Sequence, residues 1–292
     1  MTTRRRTTRL TGATLVMALL AATTALLTPG SVATAASSNA ITLTAGEYAY
    51  TVKGAPQPGW VQWNFANGGV EDHMMIVFPV KSGTTDKQVK AAAAKGEDAV
   101  SKLFTGDPVS GTPALVGPDQ KTTTLTQVKA GTYLVACFVP APDGEDHFAH
   151  GMFKVVTVKG SKSSFKPPTD GVADVTLTDT AIEVPDGAAP KQITLKVTNE
   201  GDAPHGFQLV KLETGKTLDD ANTYFNAFFN TGTAEGTAPG VLVGGVSTVA
   251  PGGMAYLQWE LPAGHYGYLS TDGDDPPDDD YTKGLKGEFD IS

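Results

Sequence analysis

The chain has 292 residues, and its 22 basic and 31 acidic side chains give a formal charge of −9 at pH 7. That balance argues against nucleic acid and anionic lipid as partners, since both are bound through basic surfaces. Thirty-three glycines, 19 prolines and one cysteine point to short strands and many turns, with cores that no disulfide staples.

The first 35 residues read as a secretory signal: Arg4, Arg5, Arg6 and Arg9, an apolar run over residues 15–27, and small residues at Ala33-Thr34-Ala35. Cleavage there predicts a secreted or cell-envelope protein that starts near Ala36 and carries 18 basic and 31 acidic residues, a formal charge of −13. No later apolar stretch is long enough to span a bilayer, so no membrane span is expected after cleavage. Cys137 then has no internal disulfide partner, and it is a buried apolar side chain, a free thiol or a metal ligand.

Farther along, landmarks recur at a nearly constant offset. Asn67, His73, Gly83 and Thr85 are matched 132 positions later by Asn199, His205, Gly215 and Thr217. The alternating apolar triplet Val61, Trp63, Phe65 maps onto Ile193, Leu195, Val197, the period-2 pattern of a strand with one buried face. Later the offset is 133: Ala130-Gly131-Thr132-Tyr133 matches Ala263-Gly264-His265-Tyr266. Each copy also predicts one helix, opened by Thr85-x-x-Gln88 in the first and by Thr217-x-x-Asp220 in the second.

The expected architecture is therefore all-β: two tandem Greek-key β-sandwiches, each of about seven strands with a short helical connection. The first spans 41–158 and the second 173–292. A polar, Pro/Gly-punctuated linker at 159–172 should let proteolysis separate the two.

Copy one places His73 before the apolar run at residues 74–78, and gathers Cys137, His147, His150 and Met152 near its end. A thiolate, imidazoles and a thioether suit copper moving between two oxidation states: sulfur favours Cu(I), and nitrogen accommodates Cu(II). Met74 and Met75 alternate along a strand and read as packing.

At these residues the chain resembles the cupredoxin family. The resemblance lies in Asn67…His73, in Gly131-x-Tyr133-x-x-x-Cys137, and in Gly151-Met152 before a last strand over residues 153–158. It implies that His73, at an early strand end, meets Cys137, His147 and Met152, from the loop between the last two strands, to hold one copper ion. His150 is the alternative to His147, which keeps the family's spacing to Met152. Nine residues separate Cys137 from His147, where the family has only a few. The longer loop either bulges outward and returns His147 to the metal, or dissolves the site.

Copy two keeps only the first histidine, His205: Cys137 becomes Ser270, His147 becomes Asp280, His150 becomes Lys283 and Met152 becomes Leu285. No copper site of this kind is expected there. Its aspartates at 272, 274, 275, 278, 279 and 280 read as a solvated acidic loop that favours a basic partner. No H-E-x-x-H, G-x-S-x-G or C-x-x-C motif occurs. The expectation is a copper-binding, single-electron carrier with a basic redox or envelope protein as partner, and not an enzyme. The rival is a metal-free extracellular binding or spacer module.

Overall fold

The computed structural model of the chain describes residues 39–185, 191–272 and 278–292; the expected signal segment lies outside them. Among the described residues no helix is long and apolar enough to cross a membrane. Copy one runs β1 (Ala40–Gly46), β2 (Ala49–Lys53), β3 (Gly59–Asn67), β4 (Ile76–Val80), α1 (Asp86–Ala93), α2 (Glu97–Ser101), β5 (Lys121–Val128), β6 (Gly131–Ala136) and β7 (Phe153–Val158). Copy two runs β8 (Val172–Thr178), β9 (Ala181–Glu183), β10 (Gln192–Asn199), β11 (His205–Leu212), α3 (Leu218–Thr231), β12 (Gly240–Val249), β13 (Met254–Glu260), β14 (Gly264–Leu269), α4 (Asp280–Lys283) and β15 (Lys286–Ile291).

The expected alternation appears in the burial. Val61, Trp63 and Phe65 of β3 are all buried in one core with Ile41 and Leu43 of β1, Val77 and Val135 of the opposite sheet, and Met75 just ahead of β4. Both predicted helices begin at complete capping boxes, Thr85 with Gln88 and Thr217 with Asp220, which satisfy amide groups that a helix start leaves open. Each copy carries a second, shorter helix as well, α2 and α4, whose four or five residues are too few to produce a periodic signal.

The repeated landmarks have structural causes. The buried side chain of Asn67 donates to the carbonyls of Glu71 and Val116 and accepts from Gly69 N–H, which shapes the loop that delivers His73. Asn199 does the same with Ala203, Val249 and Gly201 before His205. A side-chain carbon at Gly69 or Gly201 would lie 2.9 Å from Nε2 of its own copy's histidine, so both positions stay glycine. The recurring tyrosines each tie a corner, Tyr133 to the carbonyl of Lys129 and Tyr266 to that of Pro262.

Each copy packs two sheets face to face: β2-β1-β3-β5 against β4-β6-β7 in the first, β9-β8-β10-β13 against β12-β11-β14-β15 in the second. The copies are joined by more than the linker. β5 pairs with β13, making one eight-stranded sheet in which Thr124 faces Leu257, its own counterpart at the 133 offset. On the other layer Pro113 faces Val246, again counterparts, with Gly111, Ala114 and Gly117 N–H donating to carbonyls of β12. Pairs of equivalent residues facing each other define a local two-fold axis, so the copies meet as a symmetric dimer does, through the same patch on each. Ala36–Ser292 is accordingly one compact unit, and the easy separation that the linker suggested does not follow from this arrangement.

Candidate metal centre

His73 enters by a single β-bridge to Val116 ahead of β4, and Cys137 follows the last residue of β6. Between Cys137 and His147 the extra residues close on themselves. His147 N–H donates to Val139 O at 2.9 Å, Ala141 N–H to Glu145 O at 2.8 Å, and Gly144 N–H to Ala141 O at 2.9 Å. The result is a small hairpin whose turn has Pro142 and Asp143 at its centre and Gly144 at φ 86°, the residue types such a turn demands. Val139 and His147 are thus neighbours across the hairpin, and the insertion leaves His147 beside Cys137. A following turn donates Met152 N–H to His147 O at 2.9 Å and Cys137 N–H to Met152 O at 3.2 Å, tying the three residues together.

Three side chains converge. Nδ1 of His73 lies 3.1 Å from Nδ1 of His147, and Cys137 Sγ lies 3.9 Å and 3.4 Å from those nitrogens. All three side chains are fully buried. Two ring nitrogens that face each other with a sulfur beside them, in a site closed to water, are poor partners for one another and a good donor set for one copper ion. Met152 is buried in the same core. His150 is not part of the cluster: its Nε2 pairs with Asp143 at 3.1 Å, and its ring stacks on Tyr48 with centroids 4.6 Å apart. Met75 is wholly buried and Met74 partly so, both packed on the core as expected.

The electrostatics keep the imidazoles neutral. Burial, with His147 alongside, pulls the His73 pKa down to about 4. Burial also lowers that of His147, against the opposing pull of Glu71. The Cys137 thiol is pushed up to about 11 by burial, although the N–H groups of Met74 and Val139 and the Tyr50 hydroxyl work the other way. Met74 N–H reaches Sγ at 3.5 Å. A metal held by Cys137 would displace that thiol proton, since the ligand is the thiolate.

Two neighbours escaped the sequence reading. Glu71 accepts from His147 Nε2 at 2.8 Å, and Tyr50, buried beside Cys137, donates to the carbonyl of Met74. The first had a legible signal: its counterpart 132 positions on is Ala203, so the carboxylate belongs to copy one alone.

In copy two the backbone of the loop persists while the donors change. Ser270 N–H donates to Leu285 O and Leu285 N–H to Asp280 O, as at Cys137, Met152 and His147. His205 Nδ1 meets Asp280 Oδ2 at 2.7 Å, Ser270 Oγ donates to the same oxygen at 2.5 Å, and His205 Nε2 meets Asp179 Oδ1 at 3.0 Å. The solvated reading of the acidic loop needs correction here. Asp280 is buried at 2% exposure, and Asp272 accepts from Thr248 at 2.6 Å; Asp274 and Asp275 lie outside the described residues.

A histidine held between two aspartate side chains thus stands where copy one places its donor cluster. Burial pulls the His205 pKa down, but hydrogen bonds to Asp280 and Asp179 outweigh it and leave the pKa raised. The His205 hydrogen bond and the N–H groups of Ala203 and Asp202 hold Asp179 at about 2. The raised histidine contributes stability that is full below about pH 6.5 and fades as pH rises through its folded pKa. The depressed aspartate contributes above about pH 4, lost as pH falls towards its folded value. The centre should therefore stabilise most between about pH 4 and 6.5. Asp280→Ala leaves His205 and Ser270 without their shared acceptor and should cost about 3–5 kcal/mol, as removing one partner of a buried ion pair does. Chemical denaturation at pH 5.5 checks this, and a loss below about 1 kcal/mol would make the centre a neutral hydrogen-bonded cluster.

No family model matches the sequence, and neither does any curated protein. Solved structures do. A dithionite-reduced auracyanin from the photosynthetic bacterium Roseiflexus castenholzii is 24% identical over 42% of this chain and 98% of its own, with a TM-score of 0.30. A multicopper oxidase is 13% identical over 87% of this chain and 88% of its own, at 0.26. The copper-containing nitrite reductase of Thermus scotoductus SA-01 is 11% identical over 87% of this chain and 61% of its own, also at 0.26. The expectation that the chain is not an enzyme is not upheld: an oxidase and a reductase are among the solved structures it resembles, each aligned along 87% of it. The strand order, the paired tyrosine corners and the way the last two strands of copy one deliver Cys137 and His147 to His73 make the chain two tandem cupredoxin-like sandwiches, the first with a His-Cys-His cluster.

Proposed function

We propose that the exported chain binds one copper ion in its first copy, through His73 Nδ1, Cys137 Sγ and His147 Nδ1 with Met152 as a weak fourth donor, and exchanges single electrons with a basic protein partner. The observation that carries this reading is the convergence of the two imidazole nitrogens and the sulfur within 4.8 Å of one another. Bound copper supplies a one-electron couple at this position. The protein's part is to keep the donors in place through the backbone bonds of residues 137, 139, 147 and 152, and to exclude water from them. A site whose ligands are already in position reorganises little when charge changes.

The partner's sign follows from where the charge lies. Residues 172–292 hold 19 acidic and 6 basic side chains, whereas residues 36–158 hold 11 and 9. Copy two therefore concentrates the negative field and steers a basic surface towards the molecule, in a salt-dependent way. Titrating the copper-loaded protein with a one-electron reductant should consume one equivalent per chain, with none consumed by Cys137→Ser. No uptake of electrons by the loaded wild type would overturn the carrier reading.

A further inference from the structure

The geometry points to Glu71 as a positioning residue for His147: its carboxylate holds the proton on Nε2, which leaves the Nδ1 lone pair aimed at the metal position and makes that nitrogen a stronger donor. This rests on the copper reading above and deepens it. A neutral imidazole carries one proton on one of two nitrogens, and which one is set by the hydrogen bond that the other nitrogen makes. His147 Nε2 lies 2.8 Å from Glu71 Oε2, so it is the protonated, donating nitrogen. Glu71 is itself 21% exposed, and its other oxygen faces the Tyr48 hydroxyl at 3.4 Å. The Tyr48 ring stands edge-on to His147, centroids 5.0 Å apart, and limits its rotation.

The two copies supply the control. His73 Nε2 is buried with no hydrogen-bond partner among the described residues, and Glu47, the residue equivalent to Asp179 of copy two, instead accepts from Val70 N–H. In copy two the counterpart of Glu47, Asp179, does bind the first histidine, while the counterpart of Glu71 is Ala203. A carboxylate at position 71 therefore occurs in the copy that has an imidazole at 147, and is missing where Asp280 replaces that imidazole. Copy one has its carboxylate on the second histidine rather than the first, and so the donor strength of the two nitrogens is unequal by construction. Carboxylate partners of metal-bound histidines alter metal affinity by about 10–100-fold, and a stronger nitrogen donor favours Cu(II) over Cu(I).

The test compares wild type, Glu71→Gln, which keeps an acceptor oxygen but no charge, and Glu71→Ala, which keeps neither. In the metal-free protein, nitrogen-15 NMR of the His147 ring should show protonated Nε2 in wild type and Glu71→Gln, and a mixture of tautomers in Glu71→Ala. In the copper-loaded proteins, Cu(II) affinity should fall about 10-fold in Glu71→Gln and towards 100-fold in Glu71→Ala, with the reduction potential rising in the same order. Unchanged tautomer, affinity and potential in both variants would overturn the positioning role while leaving copper binding intact. A wild-type protein that binds no copper would overturn the copper reading and this metal role together, and the NMR result would then separate a structural hydrogen bond from no bond at all.

Discussion

Cys137→Ser abolishes the intense visible absorption of the copper-loaded protein, and His147→Ala removes it or shifts it strongly, whereas His150→Ala leaves it in place. The absorption of such a site comes from charge transfer between thiolate sulfur and Cu(II), so an alkoxide-forming oxygen cannot replace it. The histidine comparison follows from geometry. His147 Nδ1 stands 3.4 Å from Cys137 Sγ, while His150 faces Asp143 and the Tyr48 ring at the surface. Met152→Leu keeps the colour and changes the potential, because a weak thioether tunes a site more than it builds one. Visible spectra of the reduced proteins after addition of one equivalent of Cu(II) decide among these outcomes. Wild type without a band that Cys137→Ser removes would sink the copper assignment, and an intact band in His147→Ala with none in His150→Ala would exchange the two histidines.

The triple substitution Ser270→Cys, Asp280→His, Leu285→Met should give copy two a copper centre of its own and raise the stoichiometry from one to two ions per chain. The frame for it exists. His205 Nδ1, Asp280 Oδ2 and Ser270 Oγ already lie within 2.7 Å of their partners, and the Ser270–Leu285 and Leu285–Asp280 backbone bonds repeat those of copy one. Gly206 N–H donates to Ser270 Oγ at 2.8 Å, as Met74 N–H does to the Cys137 sulfur. The obstacle is Asp179, whose bond to His205 Nε2 favours an imidazolium, but copper binding and a proton compete for Nδ1 alone, and Nε2–H can keep that bond. Total copper per chain and a second thiolate band are the readouts. A variant that folds and still binds one ion would mean that the retained loop backbone does not suffice to place the donors.

Much of this was legible in the chain itself because it is written in local patterns. Period-2 burial in Val61-Trp63-Phe65, the capping boxes at Thr85 and Thr217, and the matched Asn-His and Gly-x-Tyr landmarks are short-range signals, and each corresponds to a strand, a helix start or a corner. The types of donor in copy one and their loss in copy two could likewise be read by aligning the chain with itself. Tertiary structure decided what depends on residues far apart. The nine residues between Cys137 and His147 are harmless because hydrogen bonds close them into a hairpin, which their spacing alone leaves open. Glu71 meets His147 across 76 positions and Asp280 meets His205 across 75, so burial, the pairing of charges and the direction of each ring nitrogen are set only once the loops are packed together. The symmetric joining of the copies through β5 and β13 belongs here too, since an exposed strand edge carries no mark in sequence of the partner that will cover it.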